Sequence, residues 1–248
     1  MNAYELKDKL NSLMPFSISE KLINLGYYDN SGVICQGEGD KIVFTLDLTK
    51  GAIDFATKNG CGLIVTHHPA IFTPIKSVTG LIADAIKKGI GVVSCHLNAD
   101  FANCGVDYYL AKGLGAQNEQ VLEKYDFGGY GRLFEFNGSL EDFVQKVKKV
   151  LGAKNLSVFG KTDKTTCKVA TFCGAGLDEK TLELAKDADI ILSADIKHHI
   201  LLSALSQGKC VVMPTHFATE NYGFSLISEN FSKTIKEKVY YYQEDTLL

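Results

Sequence analysis

The sequence predicts an α/β protein built as two related lobes facing each other across a cleft. Three observations carry that reading. Short apolar, β-branched runs alternate with helical segments, the pattern of strands joined by crossover helices. The order of elements in the first half recurs in the second, although the two halves share negligible identity. All six histidines, His67, His68, His96, His198, His199 and His216, fall at or just after strand-like runs. Strand ends are where α/β proteins place their chemistry, and neutral imidazole is the commonest metal ligand. The distribution therefore points to a metal centre in the cleft.

Each element has a local reason. Residues 2–13 place Tyr4, Leu6, Leu10 and Leu13 near helical spacing, and Pro15 ends the segment. A short second helix is expected over 19–25. Residues 33–48 read as extended, broken by a turn at Gly37-Glu38-Gly39-Asp40. A helix over 50–58 stops at Asn59-Gly60, a C-cap pair. Strand 63–66, helix 81–88, strand 92–95 and helix 106–114 follow, the two helices ending at Gly89 and Gly115.

The second half offers strand 132–136, helix 140–151, strands 156–159 and 169–172, and helix 180–186. Strand 190–193, helix 198–206, strand 211–213, helix 218–236 and a closing strand over 239–242 complete it. The Gly-rich stretch from Tyr125 to Gly131 reads as the lobe boundary. This gives a first lobe over 1–125 and a second over 126–248.

With 26 basic and 29 acidic residues, the formal charge of −3 gives no global reason to expect nucleic acid as a partner. Lys146, Lys148, Lys149, Lys154, Lys161, Lys164 and Lys168 do gather in the second half, where a solvated face is the plainer reading. No apolar run approaches the ~18 residues of a membrane span. The first residues carry Glu5, Lys7, Asp8 and Lys9, unlike a signal peptide. Seven cysteines, an odd number with scattered spacing and no C-x-x-C, suit a reducing cytoplasm and small core residues better than a disulfide framework.

Three strand ends deliver metal-ligating side chains. His67 and His68 are adjacent and stopped by Pro69. On a regular strand they would point to opposite faces, but at a strand end the chain can splay both towards one cleft. His96-Leu97-Asn98-Ala99-Asp100 follows the next strand, and Asp100 is a hard anionic ligand able to bridge two cations. His96 either ligates a metal or orients a ligand or water. His216 and Glu220, four apart at a helix start, share one face. Together these residues supply enough ligands for two metals. Mixed imidazole and carboxylate suits Zn, Mn, Fe, Co or Ni without choosing among them.

Two further features flank that set. Gly174-Ala175-Gly176 lies between a strand and a helix start, where backbone N–H groups could hold a phosphate. The alternative is a tight structural turn. Asp195 and His199, also four apart, either face the cleft as an acid/base pair or as groups behind the ligands, or Asp195 simply caps the helix that carries His199.

The order V-T-H-H-P, H-x-N-x-D, D-x-x-x-H and T-H-x-A-T-E resembles the NIF-three-like family, whose bacterial members are known as GTP cyclohydrolase I type 2 homologues. Asp29-Asn30-Ser31-Gly32-Val33, Thr45-Leu46-Asp47-Leu48-Thr49 and Gly174-Ala175-Gly176 add to the resemblance, which spans nearly the whole chain. It implies two intertwined lobes with mixed, mainly parallel sheets, the C-terminal segment returning to the metal site. It also implies two divalent ions per chain held by His67, His68, Asp100, His216 and Glu220, with His96 a sixth candidate, and assembly as a homohexameric ring. The sequence departs from the family pattern at Tyr28, Leu97, Ala99 and Met213-Pro214-Thr215, and no ligand is lost.

The function implied is hydrolysis of a nucleotide by metal-bound hydroxide, at the purine C8 position in the cyclohydrolase version. His96, or His199 with Asp195, would move protons, and Gly174 and Gly176 would receive phosphate. A phosphoesterase would use the same metals. The competing reading is a non-enzymatic ring: a scaffold, a metal carrier or a DNA-binding clamp.

Overall fold

The computed structural model describes residues 1–244 and 247, which form two compact units, each with its own sheet. Among the described residues, the first unit comprises Met1–Gly105 and Phe224–Glu244, the second Val106–Gly223 and Leu247.

The first unit opens with α1 (Ala3–Leu10), whose Asn2 and Glu5 form a capping box, and α2 (Phe16–Asn24). Then come β1 (Gly32–Cys35), β2 (Lys41–Thr45), α3 (Lys50–Asn59), β3 (Leu63–Thr66), α4 (Gly80–Lys87), β4 (Gly91–Ser94) and α5 (Leu97–Asp100). Helix α3 is capped by the Thr49 side chain and closed by Gly60 in the left-handed region at φ 68.

In the second unit the order is α6 (Val106–Leu114), β5 (Gln120–Tyr125), β6 (Gly128–Asn137), α7 (Leu140–Leu151), β7 (Leu156–Phe159) and β8 (Thr166–Thr171). There follow α8 (Glu179–Leu184), β9 (Ile190–Leu192), α9 (His198–Ser206), β10 (Cys210–Pro214) and α10 (His216–Ser232). The later residues of α10, and β11 (Lys238–Tyr241), belong to the first unit.

The first sheet runs β1-β4-β3-β2-β11. Its inner pairings are parallel, and only β1 runs antiparallel to its neighbour. Strands β3 and β4 are buried along their whole length, as expected of parallel strands covered on both faces. Phe44 of β2 packs against Phe224 and Phe231 from the first-unit part of α10. A second cluster, Val43, Ile53, Ile64, Ile82 and Val92, closes the other face.

The second sheet runs β5-β6-β8-β9-β10-β7 and departs from the mainly parallel expectation. Only β8–β9 and β9–β10 are parallel; β5–β6, β6–β8 and β7–β10 are antiparallel. The cause is local. Tyr125 pairs with Gly128, so the Gly-rich stretch is the turn of a β5–β6 hairpin within one unit, and the chain passes between units at Gly105/Val106 and Gly223/Phe224. Strand β5 escapes the sequence pattern because it is a half-exposed edge strand without clean alternation. No helix among the described residues is long and apolar enough to cross a membrane.

Candidate metal centre

In the first unit the candidate ligands stand at the carboxyl ends of β3 and β4. Backbone N–H groups of His67 and His68 both donate to Leu46 O, at 3.1 and 3.0 Å, so the chain folds over the end of β2 as β3 stops. Thr66 Oγ1 donates to His68 O at 2.8 Å, and Ser94 Oγ accepts from Ala70 N at 3.2 Å. These bonds hold two successive imidazoles on one side of the turn, with ring centroids 4.9 Å apart. The His96 ring lies 5.4 Å from that of His67 and 5.8 Å from that of His68. One nitrogen from each of the three rings lies within 4.8 Å of the others.

Each ring is braced through Nδ1. His67 Nδ1 donates to Cys95 O at 2.9 Å, His68 Nδ1 to Asp47 Oδ1 at 2.7 Å, and His96 Nδ1 to Asp29 Oδ1 at 2.8 Å. A carbonyl or a carboxylate can only accept, so Nδ1 carries a proton and Nε2 is the nitrogen that could ligate a metal. Metal-binding histidines are characteristically held in this way. The Asp29 side chain is fully buried and accepts from Ser19 and Ser31 as well. Burial works to raise its pKa, but the hydrogen bonds from His96, Ser19 and Ser31 outweigh it and hold the carboxyl at about 2.

Asp100, at the end of α5, sets its carboxylate 3.5 Å from His67 Nε2. A lone pair facing a carboxylate oxygen is repulsive unless a cation, either a proton or a metal, lies between them. The Phe224 ring packs 5.3 Å from the His67 ring and shields it on one side.

The second unit repeats the logic with fewer parts. His216 and Glu220 lie on the first turns of α10, with Nε2 and Oε1 3.1 Å apart. His216 Nδ1 donates to Asp195 Oδ2 at 2.7 Å, so Nε2 again presents its lone pair to a carboxylate. Glu220 is buried. The turn after β8 makes room for both. Gly174 sits at φ 56, and a Cβ there would overlap Glu220 Oε1 and come within 2.9 Å of His216 Nε2.

Several expectations are thereby corrected. Asp195 stands behind a candidate ligand, one of the roles expected of it, but it does not pair with His199. It takes a left-handed φ of 49 ahead of α9, whose N-cap is Lys197, and binds His216 instead. His199 is two-thirds exposed, at 66 %, and bonds Glu179 at 3.1 Å. The phosphate role expected of Gly174 also fails, because its N–H donates to Thr219 Oγ1 at 2.9 Å. Gly176 is packed under Tyr130, and its carbonyl accepts from Thr181 Oγ1. The turn is needed for close approach to Glu220. The bracing acceptors Asp29, Asp47 and Cys95 were not among the expected site residues. Asp29 and Asp47 stood in motifs noted in the sequence, but nothing in those motifs shows which histidine each would hold.

The donor set fits divalent metal: imidazole lone pairs fixed by their tautomers and carboxylates set against them in each unit. The chain is 30% identical over 240 residues to a protein named GTP cyclohydrolase 1 type 2 homolog from Methanocaldococcus jannaschii, covering 95% of this chain and 96% of that one. It is 31% identical over 233 residues to a protein of the same name from Campylobacter jejuni, covering 90% and 88%. Among solved structures, reduced HcgD from Methanocaldococcus jannaschii superposes with a TM-score of 0.81 at 29% identity, covering 97% of each chain. The family model described as Duf34/NIF3 (NGG1p interacting factor 3) matches residues 1–246, and the chain belongs to that family.

Proposed function

We propose that the two half-sites serve one dinuclear centre and that the protein is a metal-dependent hydrolase acting on a nucleotide or another phosphate-bearing substrate. One observation carries the reading: in each unit an imidazole of fixed tautomer sets its Nε2 against a carboxylate oxygen, His67 against Asp100 and His216 against Glu220. His67, His68, Asp100, His216 and Glu220 would hold two divalent cations, with Asp100 the candidate bridge. Such cations supply Lewis-acid activation of water and of a substrate oxygen. Two of them against two carboxylates leave a net positive centre, which favours an anionic substrate. The nucleotide as substrate is supported by the names of the relatives. A homohexameric ring is the assembly the sequence resemblance implies.

The chain's own groups orient and move protons. Cys95 O, Asp47 and Asp195 fix the ligand rings. His96, held by Asp29 and close to both His67 and His68, would take or give a proton at Nε2. His199, turned to solvent against Glu179, is not assigned that role.

The test is release of formate or phosphate from GTP and related nucleotides by metal-loaded protein, beside a Glu220→Ala control. Turnover is expected to stop with chelator and return with added metal. Metal-loaded wild-type protein inert to nucleotides and phosphoesters between about pH 6 and 9, the range in which such a water ionises, refutes the hydrolase.

A further inference from the structure

We propose that the second unit carries a binding site for a small phosphorylated molecule, with Lys148 and Lys154 meeting its phosphates and Leu156, Met213 and Pro214 supporting its sugar or ring. The site lies between the last turn of α7 and the β7–β10 pair at the edge of the second sheet, and its recognition chemistry needs no metal.

The local structure explains why these residues meet. Helix α7 carries Lys148 in its last turn and ends at Gly152, which takes a left-handed φ of 64. The chain turns there and brings Lys154 and Asn155 to the same cavity as Lys148. Strand β7 then starts at Leu156 and pairs antiparallel with β10, Leu156 opposite Pro214 and Ser157 opposite Met213. The result is an open cavity of about 460 Å³, within the range of roughly 300–1,000 Å³ common to small-molecule sites.

Charge narrows the ligand class. Two ammonium groups and the side chains of Asn155 and Ser157 line the cavity, and among the described residues no carboxylate does. Neither lysine makes an ion pair among those residues, whereas Lys164 of the same lysine-rich stretch is held by Asp189 at 2.6 Å. A phosphate ester carries roughly two negative charges at neutral pH, which two lysines offset. Lysine serves phosphate as a point charge, while carboxylate recognition favours the planar fork of arginine. The chain's one arginine, Arg132, is buried against Asp107. The Thr215 hydroxyl, also at the cavity, already donates to Leu247 O at 2.9 Å and is not counted as a donor to the ligand. The apolar lining from Leu156, Met213 and Pro214 separates this place from a solvated lysine face. It suits one small molecule better than a polynucleotide, whose binding rests on an extended run of phosphate contacts.

The experiment titrates the full chain, stripped of metal with chelator, with ADP, inorganic pyrophosphate and a short DNA duplex in a calorimeter. Stripping removes any share of the proposed metal centre in holding phosphate. ADP is expected to bind one site per chain, and pyrophosphate more weakly because it leaves the apolar lining untouched. Lys148→Gln and Lys154→Gln should each weaken ADP binding by about 10-fold or more, the size of one hydrogen bond to a charged group. Both lysines are exposed, so these variants should keep the fold. Lys149→Gln makes the same charge change outside the cavity and should weaken binding by less than about 3-fold. No saturable ADP binding up to millimolar concentration overturns the proposal. So does ADP binding that survives both cavity substitutions, or that falls as far with Lys149→Gln. Pyrophosphate that binds as tightly as ADP overturns the ligand class. DNA that binds more tightly than ADP, and weakens alike in all three variants, replaces the cavity with an extended basic face.

Discussion

The two half-sites solve the same problem by different means. In the first unit the proposed ligands emerge from the ends of two buried parallel strands, and their positions follow from the sheet register: Thr66 pairs with Ser94, and His67 N–H and Cys95 N–H continue the ladder. In the second unit the proposed ligands lie one helical turn apart on α10, and their environment is set by a loop that approaches them from β8. The strand-end site rests on several backbone bonds, each of which could fail alone. The helix-start site rests on one close approach that has no substitute. The first should therefore degrade gradually under substitution, and the second abruptly.

Gly174→Ala tests the abrupt case and should have the largest effect. A left-handed φ costs a non-glycine residue about 1–2 kcal/mol, and the added methyl group overlaps Glu220 Oε1. Denaturant unfolding should show that loss, and metal affinity should fall by more than about 100-fold, because Glu220 is pushed from its place. Retention of both stability and metal would show that the turn yields and that the close approach is not required.

Next come the carboxylates behind the rings. Asp47→Asn should weaken metal binding by roughly 10–100-fold. Asp195→Asn should lie at or below the low end of that range. The Asp47 side chain is 37% exposed and that of Asp195 is 62% exposed, so water competes more for the second bond. Competition titration with a chromophoric chelator gives both values, and the reverse order would contradict the comparison.

The smallest effect is expected in the most redundant place. Ser94→Ala removes the hydroxyl shared by Thr66 and Ala70, at a cost of about 1 kcal/mol in thermal unfolding, with metal binding nearly unchanged. A large loss of metal would show that the strand-end turn hangs on that one hydroxyl.

How much of this was legible beforehand follows the same division. The end of β3 is readable because Leu63 to Thr66 is a continuous apolar strand and Pro69 forbids its extension. The helix pair His216 and Glu220 is readable because i, i+4 spacing is local. The spacing rule failed at Asp195 and His199 because the helix begins only at His198, and Asp195 adopts a turn conformation that aims it elsewhere. Gly174 was misread because its contacts lie more than forty residues further along, and a glycine looks the same whether it frees a backbone N–H or makes room for a side chain. The braces at Asp29 and Asp47 needed the sheet register to connect them to His96 and His68. The β5–β6 hairpin hid inside a glycine-rich stretch that reads equally well as a link between lobes.

Metal content measured on metal-replete, gel-filtered protein tests the central claim most directly. Elemental analysis should find about two divalent ions per wild-type chain, as a dinuclear centre requires, and clearly fewer in His216→Ala/Glu220→Ala protein of unchanged circular dichroism. Wild-type protein that holds no metal, or a variant that holds as much as wild type, would contradict the assignment of His67, His68, Asp100, His216 and Glu220 to one centre.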